Sequence, residues 1–329
     1  MRFIFFALGV LLAPWIRAEA VNETVAIQEW PVPWAASRPR DPQVDPGGGV
    51  WFCGQAGNYI ARFDPETGQF RRFELAAGTH PHNLVVDGSG MIWYAGNRNA
   101  HIGRLDPRTG EITRFAMPDP AVRDPHTLIL DNGGNLWFTA QDSNYIGRLN
   151  IASGEIKLVP VTTPGARPYG IKIDGQGRPW VALFGTNRLA MVEPRTLVLT
   201  EVTLPREQAR VRRLEITANG DIWYLDFAGG RLGRYQPGSR SFSEWPIPGQ
   251  ARAQPYGSAL DGQDRIWLVD VGSRPNRLMG FDPVGSRFFG VTLIPSGAGA
   301  VRHMYYHPRS NSIWFGTDAN TLGQARLGP

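Results

Sequence analysis

Cysteine is nearly missing from this chain: 329 residues contain one, Cys53, which excludes an internal disulfide framework. With no activating neighbour beside it in sequence, Cys53 reads as a small buried residue rather than a reactive thiol. Lysine is almost as scarce, Lys157 and Lys172 being the only two, so the basic charge is carried by arginine. Those arginines are dispersed along the chain, which excludes the clustered basic surface of a nucleic-acid binder. Past the first twenty residues no apolar run is long enough to span a bilayer, so no membrane anchor is expected in the mature chain. What is abundant is Gly 39, Pro 27 and 42% hydrophobic residues, the mixture expected of many short strands joined by tight turns.

The first twenty residues are a different kind of segment. Arg2 precedes an apolar run from Phe3 to Leu12, and the stretch ends Ala18-Glu19-Ala20. That order of charge, apolar core and small residues predicts a secretory leader cleaved after Ala20, hence a secreted or periplasmic protein of residues 21–329. Cys53 is not at the cleavage site, which argues against a lipid anchor.

The strongest signal is an internal repeat. A tryptophan followed by an apolar residue recurs as Trp51-Phe52, Trp93-Tyr94, Trp137-Phe138, Trp180-Val181, Trp223-Tyr224, Trp267-Leu268 and Trp314-Phe315, at spacings of 42, 44, 43, 43, 44 and 47 residues. Each copy divides into four short apolar runs separated by turns too short to hold helices. Four strands per unit of this length predict an all-β, seven-bladed propeller. The last copy lacks a fourth strand, and Val25–Pro31 ahead of the first copy supplies one, which would close the ring.

In a propeller the innermost strands line a central channel. Each blade opens with a short motif, taken as Asp41-Pro42-Gln43, His80-Pro81-His82, Asp124-Pro125-His126, Arg167-Pro168-Tyr169, Val211-Arg212-Arg213, Gln254-Pro255-Tyr256 and Val301-Arg302-His303. The third residues are expected around the mouth of the channel, with Asp226 and Asp270 beside Arg213 and Tyr256 across their hairpins. A strand core would accept apolar residues there, so His82, His126, Tyr169, Arg213, Tyr256 and His303 point to a site for a small-molecule or peptide ligand. His101 and His307 are expected on the surface, and the recurrent Asn58, Asn144, Asn187, Asn276 and Asn320 are expected to form bends.

The repeat, in the form PHxLxxDxxGxLWFTxxxxNxIGRLD, resembles that of the streptogramin lyases, also called virginiamycin B lyases. Pro125-His126 through Trp137-Phe138-Thr139 to Ile146-Gly147-Arg148-Leu149 carries the likeness best, and it extends over essentially the whole mature chain. The resemblance implies a lyase that opens a cyclic depsipeptide by elimination. A histidine removes the proton alpha to a carbonyl, and a magnesium ion steadies the developing enolate. Carried over by residue, it makes His126 the general base and His82 a substrate-orienting group. Asp124 becomes the metal ligand, a shortened carboxylate where the family has glutamate. The second carboxylate is missing, since Ala140 stands at its position, and the match falls on blades two and three rather than the last two. Two other readings remain beside the lyase: a non-catalytic periplasmic propeller, in which Arg213, Arg302 and Tyr256 matter as much as the histidines, and a lactone-hydrolysing propeller. A monomer is expected.

Overall fold

The computed structural model describes residues 24–249 and 252–328. The leader and cleavage site expected from sequence lie outside the described residues. The rest forms seven four-stranded antiparallel sheets arranged in sequence order around a channel. In the first blade the strands are Pro39–Val44, Val50–Gly54, Tyr59–Phe63 and Phe70–Glu74, running from channel to rim. The seventh sheet is Met304–His307, Ser312–Gly316 and Thr321–Arg326, with Ala26–Pro31 added antiparallel as its outermost strand. The chain is therefore an all-β seven-bladed propeller closed by its N-terminal strand. Among the described residues the only helix is a single 3₁₀ turn, Pro308–Ser310, and none is long and apolar enough to cross a membrane.

The repeated residues explain the repeated shape. Each tryptophan packs between its own blade and the next: Trp137 lies with Ile146 of its blade and Ile171 and Val181 of the following one. Its indole N–H also needs a partner once buried. The turn aspartate six residues earlier supplies it, as in Asp87 Oδ2 to Trp93 at 2.8 Å, Asp131 to Trp137 at 2.9 Å and Asp261 to Trp267 at 2.8 Å. Blade five uses the Thr217 hydroxyl instead, at 3.2 Å. Except in blade six, where Leu268 faces Met279, the residue after each tryptophan pairs across the sheet with a glycine or alanine of the third strand, as Tyr94 with Gly103 and Phe138 with Gly147. A Cβ on Gly147 would sit 2.0 Å from the Phe138 ring, so the glycine makes room for the aromatic. The arginine that follows lays its guanidinium over the tryptophan, Arg104 at 5.6 Å from Trp93 and Arg148 at 5.5 Å from Trp137. That planar stacking is a use an ammonium serves less well, and it accounts for part of the preference for arginine over lysine.

The recurrent asparagines do more than bend the chain. Asn58, Asn144 and Asn320 adopt left-handed backbone, and their amides tie the loop into the next blade. Asn144 donates to the carbonyls of Val161 and Thr163 at 2.9 and 3.0 Å, while its own oxygen accepts from Arg167 N–H at 3.0 Å. His101, expected at the surface, is buried beneath Tyr94. Cys53 is buried in the cluster of Trp51, Ile60 and Tyr94, and burial pushes its thiol well up in pKa.

Candidate functional site

Two tiers of side chains fill the channel where the innermost strands begin. The strand pairing fixes which residues share a tier. Pro81 faces Gly96, Pro125 faces Ala140, Pro168 faces Leu183, Val211 faces Asp226 and Pro255 faces Asp270. In blade one it is Pro39, not Pro42, that faces Gly54. The residue after each of these forms the first tier: Arg40, His82, His126, Tyr169, Arg212 and Tyr256, with Arg302 in blade seven. One residue further in lies the second tier, which includes Asp41, Asn83, Thr127, Arg213 and His303.

This corrects three positions expected from sequence. Gln43 is not at the mouth; it pairs with Trp51, deeper along the strand. Arg213 and His303 are one step below His82, His126, Tyr169 and Tyr256 rather than beside them. The Arg38-Pro39-Arg40 and Asp41-Pro42-Gln43 triplets are adjacent and alike, and only the hairpin register separates them. A usable signal was present: the first-tier residue precedes its tryptophan by eleven positions in blades one to six. Blade seven carries one residue more, because the 3₁₀ turn Pro308–Ser310 occupies its hairpin.

The first tier is packed, not hollow. The His82 and His126 rings lie 3.6 Å apart between centroids, and His126 and Tyr169 lie 4.2 Å apart. The Tyr169 and Tyr256 hydroxyls meet across blade five. Arg40 donates to His82 Nε2 at 2.9 Å and to Gln55 at 3.2 Å. Arg212 donates to the Tyr256 hydroxyl at 3.0 Å and lies 3.9 Å from the Phe184 ring and 4.3 Å from the Phe227 ring. His126 has both nitrogens engaged. Nδ1 meets the Thr127 hydroxyl at 2.9 Å, and Nε2 accepts from the Gln141 amide at 3.1 Å when that amide is turned to satisfy Arg167 as well. Burial, with Arg40 beside His82 and Arg213 beside His126, holds both imidazoles neutral, well below the ordinary histidine range.

In the second tier Arg213 reaches across the channel. It donates to the Arg302 carbonyl at 3.0 Å and the Thr127 hydroxyl at 3.4 Å, and stands 3.8 Å from the Asp41 carboxylate. Asp41 also accepts from Asn83 at 2.7 Å and lies 3.6 Å from Arg40 Nε. Burial would raise its pKa, but Arg40, His303 and Arg213 outweigh that and hold it at about 2. His303 is partly open to the channel yet enclosed closely enough that burial lowers it to about 3. Below this tier the channel widens into a cavity of about 320 Å³ whose walls include Lys172, Glu215 and Ser258. There Glu215 accepts from Lys172 at 2.8 Å and from Ser258 at 2.7 Å.

The carboxylates near the mouth are committed elsewhere. Asp226 accepts from the backbone N–H groups of Arg210 and Gly229, both at 2.9 Å, with Arg206 at 3.6 Å. Its neutralising partner is therefore Arg206, not Arg213. Asp270 takes Gln254 N–H at 2.8 Å and pairs with Arg277 at 2.7 Å. Asp124 latches its loop, accepting from Asp142 N–H at 2.6 Å and from the Ser143 hydroxyl at 2.7 Å; burial raises its pKa. A magnesium ion needs several free oxygen donors around one point. Both Asp124 oxygens already hold its loop, no second carboxylate joins it, and among the described residues no three acidic, histidine or cysteine side chains cluster. These residues do not fit a divalent cation.

Comparison with known proteins agrees with the architecture. The structure resembles a streptogramin B lyase at 23% identity, with a TM-score of 0.84 over 94% of this chain and 100% of that one. It resembles the selenomethionine-substituted virginiamycin B lyase of Staphylococcus aureus at 19% identity, with a TM-score of 0.83 over 92% and 100%. A catalytically inactive variant of that enzyme, solved with quinupristin, matches at 20% identity, with a TM-score of 0.83 over 92% of this chain and 100% of that one. No curated protein is significantly similar in sequence. The model of the virginiamycin B lyase family matches residues 17–274, most of the chain. This propeller therefore belongs to the virginiamycin B lyase family.

Proposed function

We propose that the chain is a secreted or periplasmic binding propeller, acting as a monomer, that holds a small-molecule or peptide ligand at its channel mouth without metal-assisted elimination. One observation carries the reading: where a metal-dependent lyase needs free carboxylates, this mouth presents guanidinium groups. Arg40 is hydrogen-bonded to His82, and Arg212 closes over Tyr256. A cation placed there would face positive charge inside a largely dehydrated site, where repulsion is poorly screened. The proposed base, His126, has both ring nitrogens occupied, which further supports binding over proton abstraction. His82, His126, Tyr169 and Tyr256 then serve as a ring-lined platform for the ligand, with Arg213 and His303 beneath it.

Titration calorimetry of the mature protein with magnesium and then manganese tests the reading, together with mass spectrometry of quinupristin incubated with protein and metal. The expected result is no stoichiometric metal binding at millimolar concentration and an intact antibiotic ring. Metal binding lost in both Asp124→Ala and His126→Ala, or ring opening, would overturn it and restore the lyase.

A further inference from the structure

We propose that the centre of the channel is an oxyanion site, in which Arg40, Arg212 and Arg213 hold the carboxylate or phosphate group of a small ligand. The inference rests on the reading of the mouth as a binding site and adds the chemical class of its ligand.

Charge and hydrogen bonding at the tiers do not balance without such a group. Three guanidiniums converge there against one carboxylate, Asp41, because the tier histidines are neutral. Asp41 serves two of the three at long range only, 3.6 Å from Arg40 Nε and 3.8 Å from Arg213 Nη2. Arg40 is 6% exposed and Arg213 4%, yet Arg40 Nε and Nη2, Arg212 Nε and Arg213 Nη2 have no hydrogen-bond partner. Buried donors are otherwise almost always paired, and an unpaired buried charge is the costliest exception. Outside the tiers the exceptions are single atoms, Arg206 Nε facing Asp226 Oδ2, Arg234 Nε and Asn276 Oδ1, whereas at the tiers four nitrogens of three neighbouring guanidiniums lack partners.

The three charges also act on one point. Arg212 and Arg213 each lie 5.3 Å from the Tyr169 ring centre. Burial would raise the Tyr169 hydroxyl, but Arg213, Arg40 and Arg212 together pull it below the ordinary tyrosine value. An oxyanion is what several guanidinium forks recognise, since each offers parallel N–H donors to two oxygens of a carboxylate or phosphate. The charge excess of two over Asp41 suits one oxyanion carrying one or two charges. The face of the His82–His126–Tyr169 stack is left for the apolar body of the ligand.

The test uses the mature full chain with two probes, inorganic phosphate and benzoate, each titrated against chloride at matched ionic strength and read by calorimetry and thermal denaturation. Saturable binding of either probe is expected, weakened about ten-fold or more in Arg40→Met and Arg213→Met, as for loss of a charge-assisted bond. Arg108→Met, at an exposed turn, should bind as the unmodified chain does. Binding of phosphate alone assigns a phosphoryl ligand, and binding of benzoate alone assigns a carboxylate. Should a channel variant fail to fold, the unmodified protein still answers: alkaline ultraviolet titration should show one early-ionising tyrosine, shifted to higher pH by the bound anion. Absence of saturable binding by both probes, or equal affinity in the channel variants, would overturn the anion site. Magnesium-dependent ring opening of quinupristin would instead overturn the binding-only function and leave the anion site standing.

Discussion

The shell between blades and the two tiers in the channel are built on opposite plans. In the shell one solution recurs: a tryptophan buried between neighbouring blades, with an acceptor for its indole six residues earlier in blades one to six, and an aromatic ring against a glycine in blades two, three, five and seven. In the tiers neighbouring blades agree at only two places, His82 beside His126 and, across the seam, Arg302 beside Arg40. Packing between like sheets poses the same problem seven times and receives closely similar answers. The channel poses one problem to all seven blades at once, so each supplies a different part. Repetition therefore marks where stability comes from, and its breakdown marks where ligand chemistry belongs.

Substitutions should separate the two plans. The largest loss is expected in the shell: Trp137→Ala removes a fully buried indole, at a cost of about 3–5 kcal/mol, measured as a lower denaturant midpoint. Asp41→Asn comes next. It keeps the shape but leaves Arg40 and Arg213 without a countercharge, and about 3 kcal/mol is the low end for breaking a buried pair. Its pH dependence is distinctive. Asp41 has a folded pKa of about 2, below the ordinary carboxylate, so its contribution is complete above that range and drains away as pH falls toward 2. His303, lowered from 6.5 to about 3, contributes fully above 6.5 and loses that contribution as pH falls to 3. Stability should thus decline from pH 6.5 downward in acid unfolding curves, and Asp41→Asn should flatten only the lowest part. The smallest effect is expected at the partly exposed Arg302 of the channel mouth: Arg302→Ala breaks a pair with Asp318 worth about 1 kcal/mol or less by thermal denaturation.

The shell was legible in the sequence and the tiers only partly so. Seven tryptophans at near-constant spacing are a pattern that no other fold explains, and the unpaired last blade with a spare strand at Val25–Pro31 foretold the closure. The channel was harder because a one-residue shift along a strand moves a side chain between tiers, and nothing local in Val211-Arg212-Arg213 or Val301-Arg302-His303 says which arginine faces the mouth. Blade one was misread because two X-Pro-X triplets stand side by side. The hydrogen-bonding duty of Asp124, Asp226 and Asp270 was invisible for another reason: their partners are backbone N–H groups, which every sequence has.

The seam of the ring joins the earliest-made strand to the latest. Ala26–Pro31 lies along Thr321–Arg326, Trp30 stacks on Trp314 at 5.5 Å, and Glu29 is fastened by the Ser296 and Thr321 hydroxyls. Ring closure therefore depends on strands from opposite ends of the propeller at once, and a chain truncated before Thr321 would leave unpaired edges at the seam.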